Sequence, residues 1–145
     1  MINEVKTAKE LLLDYMEHIG NPEIALELFS PEAVIELPFL NSLGMPWQWK
    51  GKNAIDVFLK GIPNLFPEFK FANVNIYIDT PNQVFAEYDV IGSVTATKLP
   101  YYQTYAGRLV ADNGKILLLR ESLDMIRVIK SMFPEVASQL PINDQ

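Results

Sequence analysis

Glu121 stands in a run of leucines. In the stretch from Lys115 to Asp124, alternation of period two puts Leu117, Leu119, Glu121 and Leu123 on one face of a strand. Burying a lone carboxylate costs several kcal/mol, so a carboxyl on such a face is paired, hydrogen-bonded or set in a pocket wall. Glu87 and Asp89 lie two apart on another predicted strand, flanked on the same face by Phe85 and Ile91. If that face is the concave one, the three carboxyls meet in an apolar cup. Crowding and desolvation raise carboxyl pKa values there. A carboxyl kept protonated near neutral pH donates a proton, and an ionised neighbour accepts one. The chemistry on offer is acid/base. In the competing arrangement Glu87 and Asp89 face solvent or a second subunit and pair with Arg108 or Arg120. With one His and no Cys in 145 residues, neither a metal nor a cofactor is expected.

Other side chains sort around this group. Tyr15 sits on the apolar stripe of a first helix, so its hydroxyl either lines a cavity or bonds to a core backbone group. In a cavity it would donate to a substrate carbonyl. Glu121, Asp89, Glu87 and Tyr15 are therefore the expected catalytic residues. His18 is one turn further along, at the edge of the stripe. Trp47 and Trp49 occupy an unusually apolar stretch, Phe39 to Lys50, which either packs as core or closes a pocket as a lid. Trp47, Trp49, His18, Phe39, Phe58 and Tyr105 are the expected ligand contacts. Asp124 is read first as the cap of a helix starting at Met125. No Ser-His-Asp arrangement, phosphate-binding glycine loop or metal-spaced His pair is present, so acyl transfer, nucleotide binding and zinc chemistry have no support.

The elements that must position these residues are legible in part. Thr7-Ala8-Lys9-Glu10 is a capping box that opens a helix to about Ile19, with Ala8, Leu11, Leu12, Tyr15 and Ile19 inward. Asn21-Pro22 opens a second helix, with Ile24, Ala25, Leu28 and Phe29 inward, broken at Ser30-Pro31-Glu32. A short strand covers Ala33 to Leu37, and a third helix runs from about Asn53 to Lys60, with Gly61, Pro63 and Pro67 disrupting the segment after it. From Phe69 the period changes to two: strands are expected to about Asp79, from Val84 to about Ala96, from Tyr101 to Ala111, and through the central stretch after the Asp112-Asn113-Gly114 turn. A last helix ends at Pro134.

Helices first and strands afterwards imply an α+β chain: a cone-shaped, curved antiparallel sheet wrapped around three helices of the N-terminal half, a cystatin-like roll, with a short C-terminal helix. One domain is expected over 1–145, with its core at about 7–134 and a tail at 135–145. A net charge of -6 argues against nucleic acid and anionic membranes as partners. No secretion signal or bilayer-length apolar run is seen, so a cytoplasmic protein is expected.

These residues resemble the nuclear transport factor 2-like superfamily, in its SnoaL-like and ketosteroid isomerase-like branch, from about Leu11 to Phe133. The likeness rests on Tyr15, on Leu28-Phe29-Ser30-Pro31-Glu32-Ala33-Val34, on Gly51-Lys52-Asn53-Ala54-Ile55, and on Asn113-Gly114-Lys115-Ile116 running into Arg120-Glu121-Ser122-Leu123-Asp124. It implies a cone, commonly a homodimer through the outer sheet face. Tyr15 is similar to the helix-1 Tyr of ketosteroid isomerases, whose base and oxyanion acid would fall at Leu37 and near Ala106. Glu87-Tyr88-Asp89 with Glu121 is similar to the Arg-x-Asp and last-strand Asp of limonene epoxide hydrolases, whose water-holding Tyr and Asn would be Ile35 and Leu37. Phe66-Pro67-Glu68-Phe69-Lys70-Phe71-Ala72-Asn73-Val74 and Tyr101-Tyr102 resemble the phenazine-biosynthesis A/B proteins. Their acid/base Glu stands where Glu121 is, and their helix-3 His would be near Val57. The resemblance implies a cofactor-free isomerase, cyclase or lyase acting on a small apolar molecule that carries a carbonyl or a ring. The alternative is a non-catalytic module of the same fold that holds a small molecule or a protein.

Overall fold

Thr7 opens the first helix with a reciprocal cap. Its hydroxyl accepts from the Glu10 N–H at 3.2 Å, and the Glu10 carboxylate accepts from the Thr7 N–H at 3.0 Å. In the computed structural model, which describes residues 5–141, α1 runs Ala8–Glu17. It buries Ala8, Leu11, Leu12 and Tyr15, the stripe expected from the spacing. α2 (Pro22–Glu27) begins at its proline, but the Asn21 side chain makes no cap.

β1 (Phe29–Glu36) starts earlier than expected. Phe29, expected on the inner face of α2, is instead the first residue of β1 and pairs with Ile116. The Ser30-Pro31-Glu32 segment does not end an element but forms an irregularity between Phe29 and Val34, where a ladder tolerates proline. The apolar stretch after β1 is partly ordered into a 3-10 helix at Pro38–Leu43 and a strand, β2 (Gln48–Lys50). α3 (Lys52–Leu65) continues through Gly61 and Pro63. Burial of Ile55, Leu59 and Ile62 on one face outweighs the hydrogen bond that proline removes.

β3 (Lys70–Asp79), β4 (Gln83–Ser93), β5 (Pro100–Asp112) and β6 (Lys115–Leu123) complete a curved, unclosed six-stranded sheet of order β2-β1-β6-β5-β4-β3. Its pairings are antiparallel except for β1 with β6, which run parallel. Asn113 and Gly114, with φ of 52° and 74°, make the tight turn between β5 and β6. Two sequence expectations fail at bulges. Val110 pairs with Leu118 and Ala111 with Ile116, which leaves Leu117 unpaired and turned outward while Ile116 goes inward. In β3, register shifts and a positive φ at Asn73 break the expected face of Ala72, Val74, Ile76 and Ile78.

α4 (Met125–Met132) and α5 (Pro134–Ala137) close the described chain; residues 142–145 of the expected tail lie outside the described residues. The Asp124 carboxylate caps α4, accepting from the N–H groups of Ile126 at 2.9 Å and Arg127 at 3.3 Å. α1 packs on the concave face of β3 to β6, α3 on β1 and β2, and α4 on β5. The core lies between these helices and that face.

Candidate active site

Three adjacent strands set the inner face of the sheet residue by residue. Register places Tyr88, Tyr105 and Leu123 in one cross-strand row. The neighbouring row is Ala86, Gly107 and Glu121. Small side chains at 86 and 107 leave a channel across β5. Tyr88 leans through it from β4 and donates its hydroxyl hydrogen to Glu121 Oε2 on β6. A Cβ on Gly107 would lie 2.1 Å from the Tyr88 hydroxyl oxygen, so the contact requires glycine there.

Glu121 is 4% exposed. Burial lifts its carboxyl from 4.5 to about 7, and the hydrogen bond from Tyr88 pulls the other way. Near neutral pH the group therefore populates both protonation states. The surrounding phenols are held in their neutral form. Burial first, and the Glu121 charge next, push Tyr15 and Tyr88 well above the usual tyrosine value. Tyr105 is pushed up chiefly by burial, with its neighbour Tyr101 adding to it.

Glu121 looks into a cavity of about 340 Å³. Its apolar walls include Trp49, Phe58, Phe66, Phe71 and Leu123, and Tyr15, Tyr101 and Tyr105 add phenol rings. Glu121 is the one charged side chain in that lining among the described residues. Val57 and Leu65, both more than half exposed, line the cavity as well and mark its approach to the surface along α3. A volume of this size is at the lower end of the range for small-molecule pockets.

The expected acidic cluster does not form. Glu87 and Asp89 have the opposite parity to Tyr88 and lie on the convex face. Glu87 is exposed there. Asp89 accepts from Asn73 Nδ2 at 2.8 Å and from the Thr104 hydroxyl at 2.9 Å. The reason is amphipathic: Val84, Ala86, Tyr88 and Val90 bury fewer charges than Phe85, Glu87, Asp89 and Ile91 would. Arg120, the alternative partner for these acids, pairs with Glu36 at 2.8 Å. Among the described residues no cluster of metal-ligating type occurs.

The remaining candidates divide. Tyr15, Trp49, Phe58 and Tyr105 reach the cavity; Trp47, His18 and Phe39 do not. His18 Nδ1 lies 2.9 Å from the Asp14 carbonyl at the end of α1, which ties the ring to the helix terminus. Phe39 is half exposed, and Trp47 packs against the core from outside the cavity.

Four residues of the site escape a reading of the sequence alone: Tyr88, Gly107, Tyr101 and Gln103. Tyr88 sits between the two acids that draw attention, and the parity that expels them brings it inside. Gly107 interrupts a strand pattern, a sign that another group approaches the backbone closely. Tyr101 and Tyr105 are linked by their hydroxyls at 3.0 Å, and Gln103 Nε2 reaches the Tyr101 oxygen at 3.4 Å.

Among the described residues, no helix is long and apolar enough to cross a membrane. An uncharacterized protein of Bacillus subtilis (strain 168), YesE, is 29% identical over 136 residues, which is 92% of this chain and 91% of that one. A candidate isomerase from Bacillus subtilis, known as a crystal structure, superposes with a TM-score of 0.77 at 27% identity, covering 86% of this chain and 91% of its own. A phenazine biosynthesis-related protein from Pseudomonas aeruginosa shares the fold, with a TM-score of 0.73 at 19% identity over 95% of this chain and 88% of its own. The pattern of the SnoaL-like domain matches residues 13–119, and with the curved sheet already described it places this chain in the SnoaL-like domain family, within the nuclear transport factor 2-like fold.

Proposed function

We propose that this protein is a cofactor-independent acid/base enzyme, with Glu121 as its proton carrier and a small apolar ketone or related ring compound as its substrate. One observation carries the reading: the single carboxyl of an otherwise uncharged cavity is buried, and its pKa is lifted to about 7. A base that takes a proton and returns it within one turnover works best with a pKa near the ambient pH.

The step balances without a further reagent. The Glu121 carboxylate removes a proton from the carbon next to the carbonyl. The C–H electron pair becomes a C=C bond, and the carbonyl π pair moves to oxygen, giving an enolate. The new carboxylic acid then returns the proton to the same carbon or to a conjugated one, or first trades it with solvent, the route by which deuterium enters from D2O. Tyr88 holds one carboxyl oxygen, leaving the other for the substrate. Tyr15, Trp49 and Phe58 position the ring skeleton.

The test uses deuterium exchange, which does not require the physiological substrate. Ring ketones such as 1-tetralone are incubated in D2O, and loss of the α-proton signal is followed by NMR. Exchange faster than in buffer, lost in Glu121→Gln, is the expected result. Equal rates for the variant, or no acceleration with any ring ketone, would leave the non-catalytic binding module as the better reading. We also propose that two copies pair through the convex sheet face, where Tyr77, Ile91 and Tyr102 are exposed. Light scattering that gives a monomer mass at micromolar concentration would count against it.

A further inference from the structure

We infer that the hydroxyl pair of Tyr101 and Tyr105 is a hydrogen-bond-donating seat for one acceptor oxygen of the ligand. The argument is a count of protons. The two hydroxyl oxygens lie 3.0 Å apart, and both side chains line the cavity. Two phenols carry two protons, and their mutual hydrogen bond uses one. No carbonyl or carboxylate among the described residues accepts the other. Whichever phenol donates to its neighbour, one O–H remains, facing a largely apolar cavity.

Gln103 sets the direction of the pair by donating to it. Its Oε1 accepts from the backbone N–H groups of Asp124 at 2.8 Å and Thr104 at 3.0 Å. Those groups only donate, so the amide orientation is fixed. Its Nε2 then donates to the Asp124 carbonyl at 3.0 Å and faces the Tyr101 oxygen at 3.4 Å. A donor pressed against Tyr101 favours the order Gln103 to Tyr101 to Tyr105, which leaves the free proton on Tyr105. The Tyr105 ring is itself held, stacked on Tyr88 with centroids 5.8 Å apart. The Tyr88 proton is already committed to Glu121, so it does not compete for the ligand, which leaves the Tyr15 hydroxyl as the rival donor in the lining, to be held constant by keeping Tyr15 in every variant.

The ligand class follows. An unsatisfied buried donor is costly, and a ligand that supplies an acceptor relieves it. A ketone, quinone, enolate or phenolate oxygen fits, whereas a hydrocarbon of the same shape leaves the proton unpaired. This rests on reading the cavity as a small-molecule site, and it requires no proton transfer by Glu121.

The experiment compares 1-tetralone with tetralin, two bicycles that differ by the carbonyl. Binding is followed by calorimetry or by fluorescence of Trp49, which lines the cavity. The double variant Tyr101→Phe/Tyr105→Phe keeps both rings and removes both protons. The ratio of tetralin to tetralone Kd is expected to fall roughly tenfold in it, with tetralin affinity changed by less than about twofold. Tyr101→Phe alone keeps the Tyr105 proton and should lose less than the double variant. The carbonyl stretch of bound tetralone should shift to lower wavenumber in the wild type and return in the double variant. Absence of tetralone binding, an unchanged ratio in the double variant, or a full loss in Tyr101→Phe alone overturns the seat. If the ratio falls as expected but no deuterium exchange occurs, the seat stands and only proton transfer by Glu121 is lost.

Discussion

Asp89 and Glu121 sit on the two faces of one sheet, and both accept a hydrogen bond from a hydroxyl. Asp89 takes one from Thr104 and another from Asn73 on the convex side, where water also reaches it. Glu121 takes one from Tyr88 on the concave side, where Leu119, Leu123 and aromatic rings replace water. The partners are similar; the solvent is not. Desolvation, rather than hydrogen bonding, is what lifts the Glu121 carboxyl to about 7. A carboxylate becomes a candidate proton carrier here through the side of the pleat on which it lands.

The largest way to break the comparison is to neutralise each acid in turn. Glu121→Gln should lower ketone deuterium exchange by about 10²–10⁴-fold, the usual range for a general base. Asp89→Asn should change it by less than about twofold. In the wild type the exchange rate should rise with pH through about 7 as the carboxylate forms, then level off. A pH profile that follows Asp89→Asn and ignores Glu121→Gln would reverse the assignment.

The same contrast predicts a pH-dependent stability. Glu121 titrates at about 7 when folded and at about 4.5 when unfolding returns it to water. Between those values the folded chain binds more protons than the unfolded one, so stability falls as pH rises. The penalty is absent below 4.5 and complete above about 7, where it reaches about 3 kcal/mol. Glu121→Gln keeps a carbonyl to accept from Tyr88 and removes the charge. It should therefore be more stable than the wild type at pH 8 by about 1–3 kcal/mol, with the gain shrinking by pH 5. Urea melts at the two pH values would show it, and a gain independent of pH would argue against desolvation as the cause.

Gly107 sharpens the picture at the next level. Its added Cβ would meet the Tyr88 oxygen at 2.1 Å and the ring carbons Cζ and Cε1 at 2.8 and 2.9 Å. Gly107→Ala should destabilise by about 1–3 kcal/mol through overpacking. Adding Tyr88→Phe should recover part of that loss, because the nearest atom is gone; additive losses would mean that the two residues do not meet. Tyr88→Phe alone removes the one interaction that lowers the Glu121 pKa, so the midpoint of the exchange profile should move above about 7.

Much of the scaffold is readable because it rests on local signals. The Thr7–Glu10 box, the Asp112-Asn113-Gly114 turn and the Asp124 cap each name their own geometry, and each occurs. Glu121 is readable for a similar reason: its flanking leucines fix the face. The features that fail depend on partners distant in sequence. Phe29 joins a strand because β6 pairs with it, and α3 outruns Pro63 because the sheet buries its face. The parity of β4 is the costliest case. Both of its faces carry apolar residues, so alternation alone allows either choice, and two acids side by side suggest a cluster. The count of charges per face decides correctly: none on Val84, Ala86, Tyr88 and Val90, two on the other. The Tyr101–Tyr105 pair and its Gln103 support need coordinates, because a hydroxyl contact has no signature in spacing.

The smallest expected effect lies on the convex face and tests it by its own observable. Glu87 is exposed, and its charge is the main reason that the neighbouring Tyr77 phenol is pushed above the usual tyrosine value. Measured on the monomer, below the concentration at which two copies would pair through this face, Glu87→Gln removes that charge from a surface that water screens, so exchange activity and stability should both stay at wild-type values. Only the Tyr77 titration should move, downward towards an ordinary phenol, as read by ultraviolet difference spectra against a Tyr77→Phe control. A loss of activity in Glu87→Gln would mean that the convex face takes part in the chemistry, and the division between the two faces of the sheet would no longer hold.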